Sequence, residues 1–286
     1  MRELEYVAPT AIEEACCLLA ERDGAVALAG GTDVLVGVEA GKIAPTLAVD
    51  LRRVAGLDGV SESGGAVTIG AMVTMTDVAR SGAVREYFPA LAAAASQMGC
   101  WQVRNRATLG GNLCNAAPSA DTAPPLVVYQ AVALIDGASG AREVPLQDFF
   151  TGPGCTVLGR GDLLTGVRIP IPPTGHVSGY LRRALRRSMD IPVVNVAAGL
   201  GMEGGRVANA LIVLGAVAPT PIRAAEAEAA LVGRMPAARV LAEAASAAAR
   251  DARPITDVRA TKEYRSAMVE VLVRRLLESL TGGGGR

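Results

Sequence analysis

Residues 108–125 read "TLGGNLCNAAPSADTAPP": two adjacent glycines, two asparagines, small residues, one aspartate and three prolines. A second glycine pair, Gly30-Gly31, lies in "ALAGGTDV" at residues 27–34. Backbone this yielding marks places where the main chain approaches another group closely, because glycine lacks Cβ and admits conformations other residues avoid. Consecutive N–H groups at Gly30-Gly31-Thr32-Asp33 and at Gly110-Gly111-Asn112 can form anion nests. Thr32 and Thr108 add hydroxyl donors, whereas Asp121 can only accept, from sugar or alcohol hydroxyls. Two nests and one acceptor suit a ligand with a diphosphate and a polyol arm. Tight turns alone also account for the glycines, and the residues by themselves leave both readings open.

Outward from these loops the chain alternates short strand and helix patterns. Thr10 and Glu13 have the spacing of a capping box opening a helix over "AIEEACCLLAER". "GAVALAG" reads as a buried strand, "VLVGVEAGK" as a short helix and "TLAVDL" as another strand, which makes a β-α-β unit whose glycine loop joins strand to helix. Further on, "AVTIGAMVT" is strand-like, "MTDVAR" begins a helix with Thr76 as its cap, and "YFPALAAAASQMG" is a second helix ahead of the quoted loop. "LLTGVRIPIPP" ends in a proline-rich joint, "PIPPTGH", the expected domain boundary. Beyond it, residues 180–219 read as antiparallel strands turning at "MEGG", followed by helices after Pro221 and over "KEYRSAMVEVLVRRLLESL". The final "TGGGGR" reads as a disordered tail.

Composition excludes several classes. The 286 residues carry 28 Lys+Arg against 28 Asp+Glu, which argues against a protein built to coat nucleic acid or anionic membrane. An aromatic content of 3% removes a base-stacking platform as well. No apolar run is long enough for a membrane span, and the N-terminus lacks a signal-peptide layout, so the cytoplasm is the expected location. The five cysteines, Cys16, Cys17, Cys100, Cys114 and Cys155, contain no CxxC and give no metal-ligand spacing; structural thiols are the expected role.

Catalytic motifs are equally sparse. The only histidine, His176, sits in the proline-glycine joint, and no G-x-S-x-G elbow or P-loop occurs. The GxGxxG at Gly199–Gly204 leads into β-branched residues rather than a helix, so it is read as a hairpin and not a dinucleotide fingerprint. Arg182, Arg183, Arg186 and Arg187 can neutralise a phosphate or simply line a solvated strand edge. No catalytic side chain and no metal ligand is expected.

With these residues in hand, the sequence resembles the FAD-binding medium subunit of molybdenum hydroxylases, the carbon monoxide dehydrogenase and xanthine dehydrogenase family. "AGGTD" and "TLGGNLCNAAPSAD" match that family's two flavin-pyrophosphate loops, and "LLTGVRIP", "LRRALRRSMDIPVVNVAAGL", "GAVAPTPIRA" and "DVRATKEYRSAMVEVLVRRLL" extend the likeness over nearly the whole chain. The resemblance implies an α+β protein. A PCMH/vanillyl-alcohol-oxidase-type FAD domain over 1–172, with subdomains at about 1–60 and 61–172, would precede a C-terminal domain at 176–286 with a three-stranded antiparallel sheet and helices. It further implies that backbone at Ala27, Leu28, Ala29, Gly30, Gly31, Thr32 and Asp33, and at Thr108, Leu109, Gly110, Gly111 and Asn112, grips the diphosphate. Asp121 would bind ribityl or ribose hydroxyls, Leu164 would lie against the isoalloxazine, and Arg182 takes the place of the family's usual Lys near the ring's polar edge. FAD would be the only cofactor on this chain. Its partners would be a large molybdenum-cofactor subunit and a small [2Fe-2S] subunit, in a dimer of heterotrimers. Electrons would come from the iron–sulfur clusters and leave through the flavin to an external acceptor. A free-standing flavoprotein oxidoreductase of the same fold, or an assembly protein that has lost flavin, are the competing expectations.

Overall fold

The computed structural model describes residues 4–138 and 140–282. Its first unit consists of β1 (Glu5–Val7), α1 (Ile12–Glu21), β2 (Ala25–Leu28), α2 (Val34–Glu39) and β3 (Leu47–Asp50). The strands form a parallel sheet in the order β1-β3-β2, and the Gly30-Gly31 loop joins β2 to α2. Ala15 and Cys16 of α1 pack with Leu47, Val49 and Leu51 in a small core. The capping box does not form. Ala11 is the N-cap of α1 without a side-chain cap, and the Glu14 carboxylate, one residue beyond Glu13, accepts from the Thr10 N–H at 3.2 Å. Nor is β2 fully buried: all four of its residues keep some exposure, as befits a strand at the sheet edge.

The second unit runs β4 (Val60–Ser63), β5 (Ala66–Gly70), α3 (Met75–Arg80), α4 (Gly82–Tyr87), α5 (Pro89–Gln97), α6 (Trp101–Arg104), α7 (Leu109–Cys114), α8 (Ala123–Val128), β6 (Val132–Asp136), β7 (Arg142–Pro145), β8 (Phe150–Gly152), β9 (Cys155–Thr156) and β10 (Leu163–Pro170). Five strands make an antiparallel sheet in the order β4-β5-β10-β6-β7, while β8 and β9 pair apart. Thr76 is not a cap. It is buried inside α3, its hydroxyl donating to Asn105 Oδ1 at 2.6 Å, and Thr74 caps the helix instead by accepting from Asp77 N–H. Pro89 starts α5 at a position where its missing N–H costs nothing, and Ala90, Leu91, Ala94 and Ala95 form its buried stripe. Half of the stretch 108–125, read as a loop, belongs to two short helices: Thr108 caps α7 and Pro124-Pro125 lie in the first turn of α8.

The third unit contains β11 (His176–Arg183), β12 (Val194–Glu203), β13 (Arg206–Gly215), β14 (Ile222–Arg223), α9 (Ala225–Leu231), α10 (Ala238–Asp251) and α11 (Lys262–Gly282). Its antiparallel sheet has four strands, β11-β12-β13-β14, not the three expected; the extra one is two residues long and pairs with Val213 and Leu214. The GxGxxG falls on β12 and its hairpin turn, where Gly204 and Gly205 take φ of 55° and 75°. Residues from Val194 to Leu200 are all buried because the sheet is covered on both faces. Val196, Ala198 and Leu200 pack with Leu241, Val269 and Leu276 of the helices, while Ala197 and Val213 join the core of the second unit. Helix α11 extends through Thr281 and Gly282, so these two residues are not tail; the remainder of "TGGGGR" lies outside the described residues. No helix of the described residues is long and apolar enough to cross a membrane.

Candidate functional site

The two glycine loops meet. A Cβ built on Gly30 would lie 2.6 Å from the Arg106 carbonyl carbon and closer still to its oxygen, so Gly30 is held against the turn that leads into α7. Across the same junction a Cβ on Gly111 would be 3.8 Å from the Ala29 Cβ, and Asn115 Nδ2 donates to Asp33 Oδ1 at 3.2 Å. Gly31 has φ of +77°, a value that favours glycine and turns the chain between β2 and α2.

The loops divide their donors unequally. Among the described residues no acceptor meets the backbone N–H groups of Gly30, Gly31, Thr32 or Asp33. The expected nest at Gly110-Gly111-Asn112 is different. Leu109 and Gly110 donate to the Val73 and Ala71 carbonyls, Gly111 to Thr108 Oγ1, and Asn112 to the Thr108 carbonyl. Those amides are consumed by starting α7 and seating it against residues 71–73. Gly110 permits that seating, since a Cβ there would be 2.6 Å from the Ala71 Cβ. The free donors therefore belong to the first loop, and the second walls it. Thr108 keeps a hydroxyl hydrogen to give, and Asn112 is fixed by Thr122 Oγ1, which donates to its Oδ1 at 2.6 Å. Filling the junction tests this arrangement. Gly111→Trp is expected to lower FAD affinity more than tenfold while far-ultraviolet circular dichroism stays at the wild-type level; wild-type affinity would contradict it.

Asp121 lies three residues before Pro124 and is buried. Its Oδ1 accepts from the Tyr180 hydroxyl at 2.5 Å and from Arg182 Nη1 at 3.0 Å. Burial pushes its carboxyl up to about 6, against the pull of the Arg182 guanidinium and the Tyr180 hydroxyl. Burial likewise raises the Tyr180 phenol well above its ordinary value, with the Asp121 charge adding to the effect. Tyr180 and Arg182 share one face of β11, two residues apart. Arg182 also donates to the Gln97 carbonyl at 2.9 Å and to the Asp190 carbonyl at 2.6 Å, so one side chain ties three separate segments. Its three neighbours in the basic run differ: Arg183 faces outward to the Tyr264 hydroxyl, Arg186 bonds the Asp190 loop, and Arg187 is exposed.

Leu164 sits in the core of the second unit with 2% of its surface exposed, on the central strand β10. Its side chain packs into that core at the start of the strand, next to the bulge between Leu164 and Gly166. His176 opens β11 beside the Tyr129 ring, with Nε2 buried and unpartnered among the described residues; burial lowers its pKa. Cys114 is a half-buried residue whose thiol is pushed up to about 12 by desolvation, which makes it inert. No cluster of three His, Cys, Asp or Glu side chains suited to a metal ion occurs among the described residues. Tyr180, Asn115 and the Arg106 carbonyl escaped the reading of the sequence. Only Tyr180 left a signal, its two-residue spacing from Arg182 on a strand.

A junction of two glycine loops with open amides beside a buried acid and a fixed arginine is suited to a nucleotide cofactor on an α+β scaffold. Two family models match the chain: the FAD binding domain in molybdopterin dehydrogenase over residues 2–172, and the CO dehydrogenase flavoprotein C-terminal domain over residues 179–280. The xanthine dehydrogenase FAD-binding subunit of Escherichia coli O157:H7 is 33% identical over 284 residues, covering 98% of this chain and 97% of that protein. The carbon monoxide dehydrogenase medium chain of Afipia carboxidovorans is 34% identical over 276 residues, covering 96% and 95%. In structure, carbon monoxide dehydrogenase from Hydrogenophaga pseudoflava superposes with a TM-score of 0.95 at 32% identity, covering 98% of each chain. The chain belongs to the FAD-binding subunits of the molybdenum hydroxylase family, and is an oxidoreductase component with FAD as its cofactor.

Proposed function

We propose that this chain is the electron-transfer subunit of a molybdenum hydroxylase, seated beside a large molybdenum-cofactor subunit and a small [2Fe-2S] subunit in a dimer of heterotrimers. The observation that carries the reading is the row of four amides at Gly30–Asp33, unpaired among the described residues, with Gly30 packed against the Arg106–Ala107 turn that leads into α7. Bound FAD would supply the redox chemistry linking the iron–sulfur partner to an external acceptor.

The chain's own residues bind and orient. The amides of Gly30, Gly31, Thr32 and Asp33 would hold the diphosphate, with the Thr32 and Thr108 hydroxyls completing the cradle. Asp121 accepts from a polyol hydroxyl, its carboxylate fixed in place by Tyr180 and Arg182. Arg182 ties Asp121 of the second loop to the Gln97 and Asp190 carbonyls and so fixes that loop against the 184–191 segment. No side chain is needed as nucleophile or general base, in keeping with a subunit that passes electrons.

The test is reconstitution. The flavin-free chain is expected to take up one FAD and turn yellow, and the tagged chain to copurify with a molybdenum subunit and an iron–sulfur subunit. Failure to bind FAD would sink the clamp. Flavin uptake with no partner in the genuine host would favour the free-standing flavoprotein.

A further inference from the structure

Residues 252–261, between α10 and α11, contain no helix or strand, yet the segment is tied down along its length. Arg253 N–H donates to the Val217 carbonyl at 2.8 Å, and Lys262 N–H to Thr256 Oγ1 at 3.0 Å. The Asp257 carboxylate accepts from the N–H groups of Arg259 and Ala260, at 2.9 and 3.2 Å, and from Arg265 Nη2 at 2.8 Å. Arg265 is itself buried and reaches on to the Val193 and Ala216 carbonyls at 2.6 and 3.0 Å. This network does not fold the segment inward. It holds Ile255 at 69% exposure and Val258 at 100%. An irregular loop that is rigidly held and turns apolar side chains to water has the signature of a recognition element rather than of a core.

Beside it lies a cavity of about 320 Å³, walled by Pro118, Pro153, Pro192 and Pro219 with Ile191 and Ile255. Proline walls are already fixed in φ, so little conformational freedom is lost when something enters. Arg253 also lines the cavity, and its guanidinium meets no hydrogen-bond or ion-pair partner among the described residues. Arg259 reaches Asp257 only at 3.4 Å. Asp257 and Arg265 line the cavity too, but they are paired with each other, and Arg259 also pairs with Asp257, so among the described residues Arg253 carries the charge left over. An apolar recess with that one free guanidinium is complementary to an apolar side chain next to a carboxylate. The place is suggestive as well. Pro118 belongs to the exit of the second loop, and Ile191 follows Asp190, whose carbonyl accepts from Arg182.

We propose that this cavity receives an extended segment of a partner subunit, which inserts an apolar side chain and sets an adjacent carboxylate against Arg253. The inference rests on the reading of the chain as a subunit of a complex. Its test uses the tagged chain coexpressed with its molybdenum-cofactor and iron–sulfur subunits, assembly being followed by size exclusion and native mass spectrometry. Arg253→Glu and Ile255→Asp are expected to cut retained partner at least tenfold while keeping one FAD per chain. Arg253→Lys, and Arg274→Glu on the exposed face of α11, are expected to assemble as wild type. Unchanged assembly of the first two variants would overturn the inference alone. So would loss of their flavin, or dissociation of a self-dimer with partner uptake intact, which would mean a second copy fills the cavity. A wild-type chain that never assembles would overturn the functional reading together with it.

Discussion

Gly30→Ala is expected to raise the dissociation constant for FAD at least a hundredfold, a loss of about 2.7 kcal/mol. A single methyl group is the whole change, and its effect comes from what it meets. The new Cβ would lie 2.6 Å from the Arg106 carbonyl carbon and 3.0 Å from the Ala107 Cα, all of it backbone. Backbone cannot swing aside as a side chain can, so the two loops must part and the row of amides at residues 30–33 loses its wall. Overpacking of this kind also costs the fold about 1–3 kcal/mol, expected in the first unit of the chain. Gly82→Ala is the control: a Cβ there has open space around it and the residue keeps ordinary φ. It is expected to bind FAD normally. The measurement is a titration followed by flavin fluorescence. Binding by Gly30→Ala within threefold of wild type would remove the argument that close approach of the loops makes the clamp.

Arg182→Ala is expected to destabilise the protein by about 3–5 kcal/mol at neutral pH, the cost of leaving a buried carboxylate without its counter-charge. The side chains of Arg182 and Asp121 are 9% and 6% exposed, so solvent screens the pair little. The pH dependence gives the prediction its sign. Asp121 ionises at 3.8 in a free chain and at about 6 when folded. Between those values the folded state binds the extra proton, so stability from this group is greatest below 3.8 and falls as pH rises through about 6, by about 3 kcal/mol in all. Removing Arg182 pushes the folded value higher still and deepens that fall. Urea denaturation should therefore find the Arg182→Ala penalty large at pH 7.5 and less than half as large at pH 4. Asp121→Asn should abolish most of the difference between the two conditions. Equal penalties at both pH values would show that Arg182 acts only through the Gln97 and Asp190 carbonyls.

Much of the architecture was legible because it follows local periodicity. The β-α-β start, the hairpin at Gly204-Gly205 and the Ala-rich helices α5 and α10 each announce themselves within their own residues. Caps were read less well. Thr10 and Thr76 have the right chemistry, but Ala11 and Thr74 hold the extended backbone that an N-cap requires, and neighbouring turns decide that.

The sequence by itself determined where two glycine pairs, an aspartate and a basic run lie, and left open whether they serve an anionic, hydroxyl-bearing cofactor or only tight turns and a solvated edge. It could not apportion their roles. Both glycine loops look alike in composition, yet only Gly30–Asp33 keeps its amides open, because the acceptors that occupy the other set are Val73, Ala71 and Thr108. Four arginines stand within six residues, and Arg182 alone turns inward to Asp121, sixty-one positions away. Tertiary structure settled both matters for one physical reason. Glycine and charge are local properties of the chain, whereas whether a donor is free or a charge is buried depends on which distant group the fold brings beside it.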